Sequence, residues 1–338
     1  MDGLALKRVA CFISESVAVN LELSSTADSS FGLKRELVRK DGTTQTQFLH
    51  VDTQSRLYDF ATSDPFEKKL LKHYKEMLEN FSLDQIANGA VVSGAVIYDP
   101  LALIGDLENC VDEYQLIEQV GVIVRALGGS QFVYHFLRFD SARSAIDPAH
   151  GSYLIGCRPG WIQQYMSNGW ALDDPYLLYA ARNIEPVLTT ALNRDRVNHW
   201  FVQSARDYAF VRGLILPAHF SRKGLMGMLH VGCMGNAVEN DEMLWKKRLS
   251  LQALSLAILS WQINKVRSDG MAKYDLDRKD VCFLQTYLIR RSAHDVAEVA
   301  GLAVNTVYQT VFRRLNKKMG TERIAMAAEK AQAEGLLD

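Results

Sequence analysis

The period of apolar and polar positions changes several times along this chain, and each change marks an element. Near the C-terminus Val307, Val311, Leu315 and Met319 recur every four residues, with Tyr308 and Phe312 widening the stripe, which predicts a helix over 305–318 with one face committed to a core. The opposite face carries Asn305, Gln309, Thr310, Arg313, Arg314 and Lys317. Just before it, residues 295–300 place small apolar side chains at helical spacing, and Gly301 can leave a helix at positive φ. A helix over 279–289, with Val281, Leu284 and Leu288 on one face, precedes this pair, and an alanine-rich helix over 322–334 follows it. Upstream, residues 113–127 read as a helix stopped by Gly128-Gly129, and 131–137 alternate as a strand. A loop containing Pro148 and Gly151 is expected to lead to Tyr153-Leu154-Ile155. Trp161 and Tyr165, four apart, line one face of a helix. Residues 200–208 form another helix, 211–217 and 225–233 a hairpin around 221–224, and 249–263 a long closing helix.

These elements predict an α+β chain: an α/β/α sandwich on one antiparallel sheet, followed by an all-α four-helix domain built on a helix-turn-helix. The expected divisions are an extension of unknown role over 1–105, the sandwich over 106–263, a linker over 264–274 and the helical domain over 275–338. In the extension, 37–51 suggests a hairpin turning at Asp41-Gly42, 66–81 a charged amphipathic helix, and Asp99-Pro100 a boundary.

Composition narrows the function. With 23% charged and 48% hydrophobic residues and a formal net charge of -1, the chain is an ordinary globular protein and not one that coats nucleic acid throughout. Charge is local: Arg313, Arg314, Lys317, Lys318 and Arg323 face a single acid, Glu322, between 306 and 323. A helix that shows amides and guanidiniums after a tight turn suits the major groove of double-stranded DNA, where side chains meet base edges and cations lie beside phosphates. The five cysteines are scattered without CxxC, so neither a disulfide frame nor a metal site is expected. The eight histidines form no HxH or HExxH, and no GxSxG or GxxxxGK occurs, so no enzyme and no cofactor is expected. No apolar run is long enough to span a membrane, and a cytoplasmic location is expected.

Leu276, Asp280, Val296-Ala297, Thr306-Val307, Lys318-Met319-Gly320, Arg323, Ala331 and the terminal Gly335-Leu336-Leu337 together resemble the C-terminal domain of LuxR-type transcription regulators. The resemblance implies that Asn305, Thr306, Gln309, Thr310, Arg313, Arg314 and Lys317 face DNA. Two departures stand out. Ala303 occupies a position where the family usually has serine, which leaves the cap to Asn305, and the spacing from Thr306 to Gly320 is one residue longer than usual.

Pro159-Gly160-Trp161, Tyr165 and Asp174-Pro175 resemble the sensor core of the same family, whose domains bind acyl-homoserine lactones. By that resemblance Trp161 donates to the lactone carbonyl, Asp174 accepts from the amide N–H, Tyr165 packs on the ligand beside Trp170, and Gly213 lets a strand pass close to it. Cys157 and Thr189 stand where the family often has a tyrosine and a tryptophan, so the ligand-binding set is Trp161, Tyr165, Asp174, Cys157, Trp170, Thr189 and Gly213. The resemblance also implies a homodimer on an inverted-repeat operator, quorum sensing as the setting, and no membrane. The alternative is a solo LuxR-type regulator that answers another small molecule or none.

Overall fold

The computed structural model describes residues 7–13, 17–25, 31–39, 43–51, 100–140, 145–193, 200–208, 210–220, 225–233 and 238–337. The expected helix at 66–81 and the turns at 41–42 and 221–224 lie outside them. The chain divides into two compact units, residues 1–259 and 260–338.

The first unit is built on one nine-stranded sheet of order β1-β2-β3-β4-β6-β5-β9-β8-β7. Its strands are β1 (Lys7–Ile13), β2 (Val17–Ser25), β3 (Phe31–Arg39), β4 (Thr44–Val51), β5 (Gln131–Asp140), β6 (Ala145–Gly156), β7 (Val187–Leu188), β8 (Arg212–Phe220) and β9 (Leu225–Cys233). The segment expected as an extension of unknown role thus supplies an antiparallel meander, β1 to β4, of the same sheet. Pairing is antiparallel except at one place, where β4 runs parallel to β6 with Thr46 opposite Ser152 and Leu49 opposite Ile155. A parallel neighbour needs a long crossover, and the chain between β4 and β6 is ample for one.

The residues expected as a loop around Pro148 and Gly151 are part of β6. The ladder explains why a proline sits there. Ser152 faces Phe136 and Asp147 faces Arg138, so 148–151 bulge opposite a single residue, Leu137, and need no ladder bond.

Helices cover both faces. Helix α1 (Pro100–Gly105) leads into α2 (Glu113–Ala126), whose N-cap Asp112 accepts from Gln115 N–H at 2.9 Å. Helix α8 (Arg248–Lys273) shares the α2 face: Ser255 donates to Leu216 O at 2.8 Å, and Tyr134 donates to Ser255 O at 3.0 Å. The other face carries α3 (Pro159–Ser167), α4 (Pro175–Ala180), α5 (Thr189–Leu192) and α6 (Trp200–Asp207). Strand alternation sorts the side chains, so Tyr134 points to α8 while Val133 and Leu137 join the core under α3 to α6. Helix α7 (Val238–Lys246) links β9 to α8. The expected linker at 264–274 is instead helical through Lys273, because residues 249–273 hold no proline and the lone Gly270 does not break the run.

The second unit packs α9 (Arg278–Arg290), α10 (Ala293–Ala300), a long helix in three segments, and α13 (Ile324–Ala333) around Leu284, Val296, Val307, Leu315, Met319, Ala327 and Leu336. The long helix comprises α11 (Val304–Thr306), a π-helical turn (Val307–Phe312) and α12 (Arg313–Met319). The four-residue recurrence of its apolar stripe suits this: in a straight α-helix, residues four apart drift by about 40° per step, and a wider turn brings them closer to one face. Val307, Val311, Leu315 and Met319 are all buried. The π turn holds one residue more than an α-helical turn would.

Candidate functional site

Helix α3 begins at Pro159, whose fixed φ suits the first helical position. It delivers Trp161 and Tyr165 to the sheet, both almost fully buried. A 3-10 turn then places Trp170, and Asp174 caps α4 by accepting from Tyr176 N–H at 2.7 Å. The other carboxylate oxygen accepts from the Tyr165 hydroxyl at 2.8 Å. Trp161, Tyr165, Trp170 and Asp174 therefore come together as one cluster. Trp161 lies 6.1 Å from Tyr165, 5.8 Å from Trp170 and 5.5 Å from Phe201 between ring centroids.

The cluster is buried, and its electrostatics follow from that. Burial pushes the Asp174 carboxyl up to about 6, against the hydrogen bonds from Tyr165 and the backbone of Tyr176 and Leu177 that favour the anion. At neutral pH it is still about nine parts in ten ionised, a strong acceptor in an apolar surround. Burial, with the Asp174 charge beside it, also raises the Tyr165 hydroxyl well above the usual phenol range, so Tyr165 remains a donor.

The remaining expected residues spread around this centre. Cys157 is half-buried at the end of β6, packs against the same core, and donates weakly to Arg158 O at 3.5 Å. Thr189 is buried at the start of α5, beside the Tyr176 hydroxyl, which accepts from Asn193 at 2.7 Å. Gly213 makes its close approach to β9: a Cβ there would stand 2.6 Å from Val231 O and 3.0 Å from His230 Nε2. It makes room for a buried histidine in the neighbouring strand.

Four contributors to this floor escaped the sequence reading: His135, Tyr153, His230 and Gln47. His135 sits 5.1 Å from the Tyr153 ring and 5.6 Å from the Tyr165 ring. His230 stacks 4.4 Å from Phe210 and 5.1 Å from Tyr176. Burial lowers both imidazoles to about 3, so both are neutral at pH 7. Gln47 comes from β4, and its amide reaches Met166 on α3. The available signal was a histidine at an inward position of an alternating strand, between Val133 and Leu137.

In the second unit Ser292 caps α10 through the N–H groups of His294 and Asp295. Gly301, at φ 64°, ends α10, and the long helix starts three residues later. Asn305 does not supply its cap: Ala303 holds that position with no side-chain hydrogen bond, because the helix begins at Val304. Asn305, Gln309, Thr310, Arg313, Arg314 and Lys317 are exposed, and Thr306 is half-buried. Thr310 donates to Thr306 O at 2.7 Å. Arg314 is engaged on one side, since it and Lys318 both pair with the buried Asp280 carboxylate. Burial alone would raise that carboxyl, but hydrogen bonds from Lys318 and Arg314 hold it below the usual range. Asp280 also closes a capping box with Asp277 at the start of α9. Among the described residues no cluster of three or more His, Cys, Asp or Glu could hold a metal.

Residues 112–260 match the family model of the autoinducer binding domain, so this part of the chain is a receptor for a small signal. The chain is 24% identical over 221 residues to the transcriptional activator protein PhzR of Pseudomonas fluorescens, across 64% of this chain and 87% of that protein. Among solved structures, Escherichia coli SdiA aligns at 13% identity and TM-score 0.47, over 71% of this chain and 98% of SdiA. CepR2 of Burkholderia cenocepacia, an N-acylhomoserine lactone dependent LuxR family transcription factor, aligns at 18% identity and TM-score 0.42, over 49% of this chain and 96% of its own. The chain thus carries a match to the autoinducer binding domain and is similar to LuxR-type quorum-sensing regulators.

Proposed function

We propose that the first unit binds an acyl-homoserine lactone against Trp161, Tyr165 and Asp174, and that the second binds an inverted-repeat DNA operator as a homodimer in response. The observation that carries the ligand half is Asp174: a carboxylate almost fully buried, mostly ionised, and set among aromatic rings. A buried amide needs its N–H and C=O paired, each unpaired group costing about 1–3 kcal/mol. Asp174 offers the acceptor, and the indole N–H of Trp161 is a donor within the same cluster. The aromatic neighbours supply the apolar wall for an acyl chain.

The DNA half rests on the exposed Asn305, Gln309, Arg313 and Lys317 along a helix that follows a tight turn. A twofold assembly is supported by Leu249 and Leu256, seven apart on α8 and 73% and 48% exposed. The protein acts by binding, without catalysis, in the cytoplasm; no described helix is long and apolar enough to cross a membrane.

Thermal unfolding with a panel of acyl-homoserine lactones of increasing chain length tests the ligand half. A midpoint that rises with ligand, by RT ln(1 + [L]/Kd), and depends on chain length is expected, with Asp174→Asn blunting the response roughly ten-fold or more in Kd. Cys157 and Thr189, which open the two positions beside the ligand site, favour a second reading, a solo regulator answering a different small molecule. No shift with any lactone in folded protein would select it.

A further inference from the structure

The face of the sheet opposite the aromatic cluster carries a hollow of its own, between α2 and the ends of β5 and β6. It measures about 140 Å³ and is lined by Glu118, Gly121, Val122 and Arg125 of α2, Phe132 of β5 and Gly156 of β6. Two glycines make the space. Gly156 stands directly opposite Phe132 in the ladder, and a Cβ there would lie 2.0 Å from the Phe132 ring. Gly121 meets the same ring from the helix side, where a Cβ would stand 3.8 Å from it and 3.3 Å from Arg125 Nη1. Strand alternation sends Val133 and Leu137 to the aromatic cluster and Phe132 to this side, so the sheet itself separates the hollow from Asp174.

Arg125 gives the hollow its chemistry. Its guanidinium reaches back one turn to Gly121 and makes no hydrogen bond or ion pair among the described residues. Such a fork matches a carboxylate, whose two oxygens it can hold together. Glu118 lies seven residues earlier on α2, about 10 Å along the helix axis, and suits a donor at the far rim. The size sets the remainder of the ligand, because a cavity of about 150 Å³ accepts benzene.

We propose that this hollow is an additional ligand site, which takes a small planar aromatic carboxylate. The carboxylate pairs with Arg125, the ring lies against Phe132 between the two glycines, and a ring amino group points to Glu118. The site is independent of the lactone reading.

The test is calorimetric titration of the full chain with benzoate, 2-aminobenzoate, the uncharged benzamide, and acetate, which has the charge without the ring. Benzoate and 2-aminobenzoate should bind with Kd of about 0.1–1 mM, the range for some ten non-hydrogen atoms. Benzamide and acetate should each bind roughly ten-fold more weakly. Arg125→Gln should erase the preference for benzoate over benzamide. Gly121→Ala forces the guanidinium aside and narrows the hollow, so benzoate affinity should fall roughly ten-fold or more. Its unfolding midpoint should hold or rise, since alanine suits a helix better than glycine, which separates lost binding from lost fold. No binding of benzoate up to about 5 mM, equal affinity for benzamide or acetate, or a preference that survives Arg125→Gln overturns the site.

Discussion

The buried titratable side chains of the sensor make its stability depend on pH in two opposing senses. His135 and His230 stand near 3 in the fold, against an ordinary value of 6.5. Between those limits the unfolded chain takes up protons that the folded chain refuses, so acidification destabilises. Asp174 works the other way, because its carboxyl stands near 6 against 3.8 and the fold keeps a proton that the unfolded chain releases between those values. Two imidazoles with the larger shifts outweigh one carboxyl. The urea midpoint should fall on going from pH 6.5 to 4.5 by an amount worth about 3 kcal/mol, and His135→Leu should remove most of that slope. An unchanged slope would mean that the ring meets water. Ala303 poses a simpler question. It caps nothing, so Ala303→Ser should add about 1 kcal/mol of stability by accepting from the N–H of Asn305 or Thr306, read as a raised unfolding midpoint; no gain would mean the helix end is satisfied otherwise. Trp161, Tyr165 and Asp174 were legible because a family pattern spaced them. His135 was not: its inward position between Val133 and Leu137 marks it as buried, but its neighbours across the sheet, which tie it to the site, are not in the local pattern.

At the scale of elements, the long helix of the second unit shows how sequence period bears on backbone geometry. An apolar residue at every fourth position from Val307 to Met319 drifts by about 120° around a straight α-helix, and the π turn at Val307–Phe312 narrows that stripe. Removing one exposed residue from that turn should convert it to ordinary α-helix: deletion of Thr310 brings Val311 to three residues from Val307 and leaves Leu315 and Met319 on the same face. The deletion variant should unfold cooperatively with a loss below about 1.5 kcal/mol, as for volume-conserving core changes, whereas loss of cooperative unfolding would show the bulge to be essential to the core. Strands β5, β8 and β9 and the helices from 278 onward were readable by period and by Gly301 as a helix end. Residues 145–151 were not. Pro148 and Gly151 advertise a loop, and only the four-against-one bulge opposite Leu137 lets them belong to a strand.

For the whole molecule, the consequential feature is the attachment of β1 to β4 along β6. No local pattern announces it, because parallel pairing joins residues far apart in sequence. It turns what would be a free edge of the sensor sheet into an interior position, with Phe48 packed 6.2 Å from Tyr114 of α2. Deleting residues 1–51 should bare β6 and the Tyr114 side of α2, and exposed strand edges recruit other chains. Sedimentation should then show concentration-dependent association together with a lower unfolding midpoint. A truncated protein that stays monodisperse at the original midpoint would make the added strands dispensable. The same join sets a schedule for biosynthesis. Thr46 pairs with Ser152, so about 100 residues of synthesis separate the partners, roughly 5 to 20 s at ribosomal rates. Throughout that interval the meander exists without the strand that will seal β4, and the nascent chain must shield that edge before the sensor closes over it.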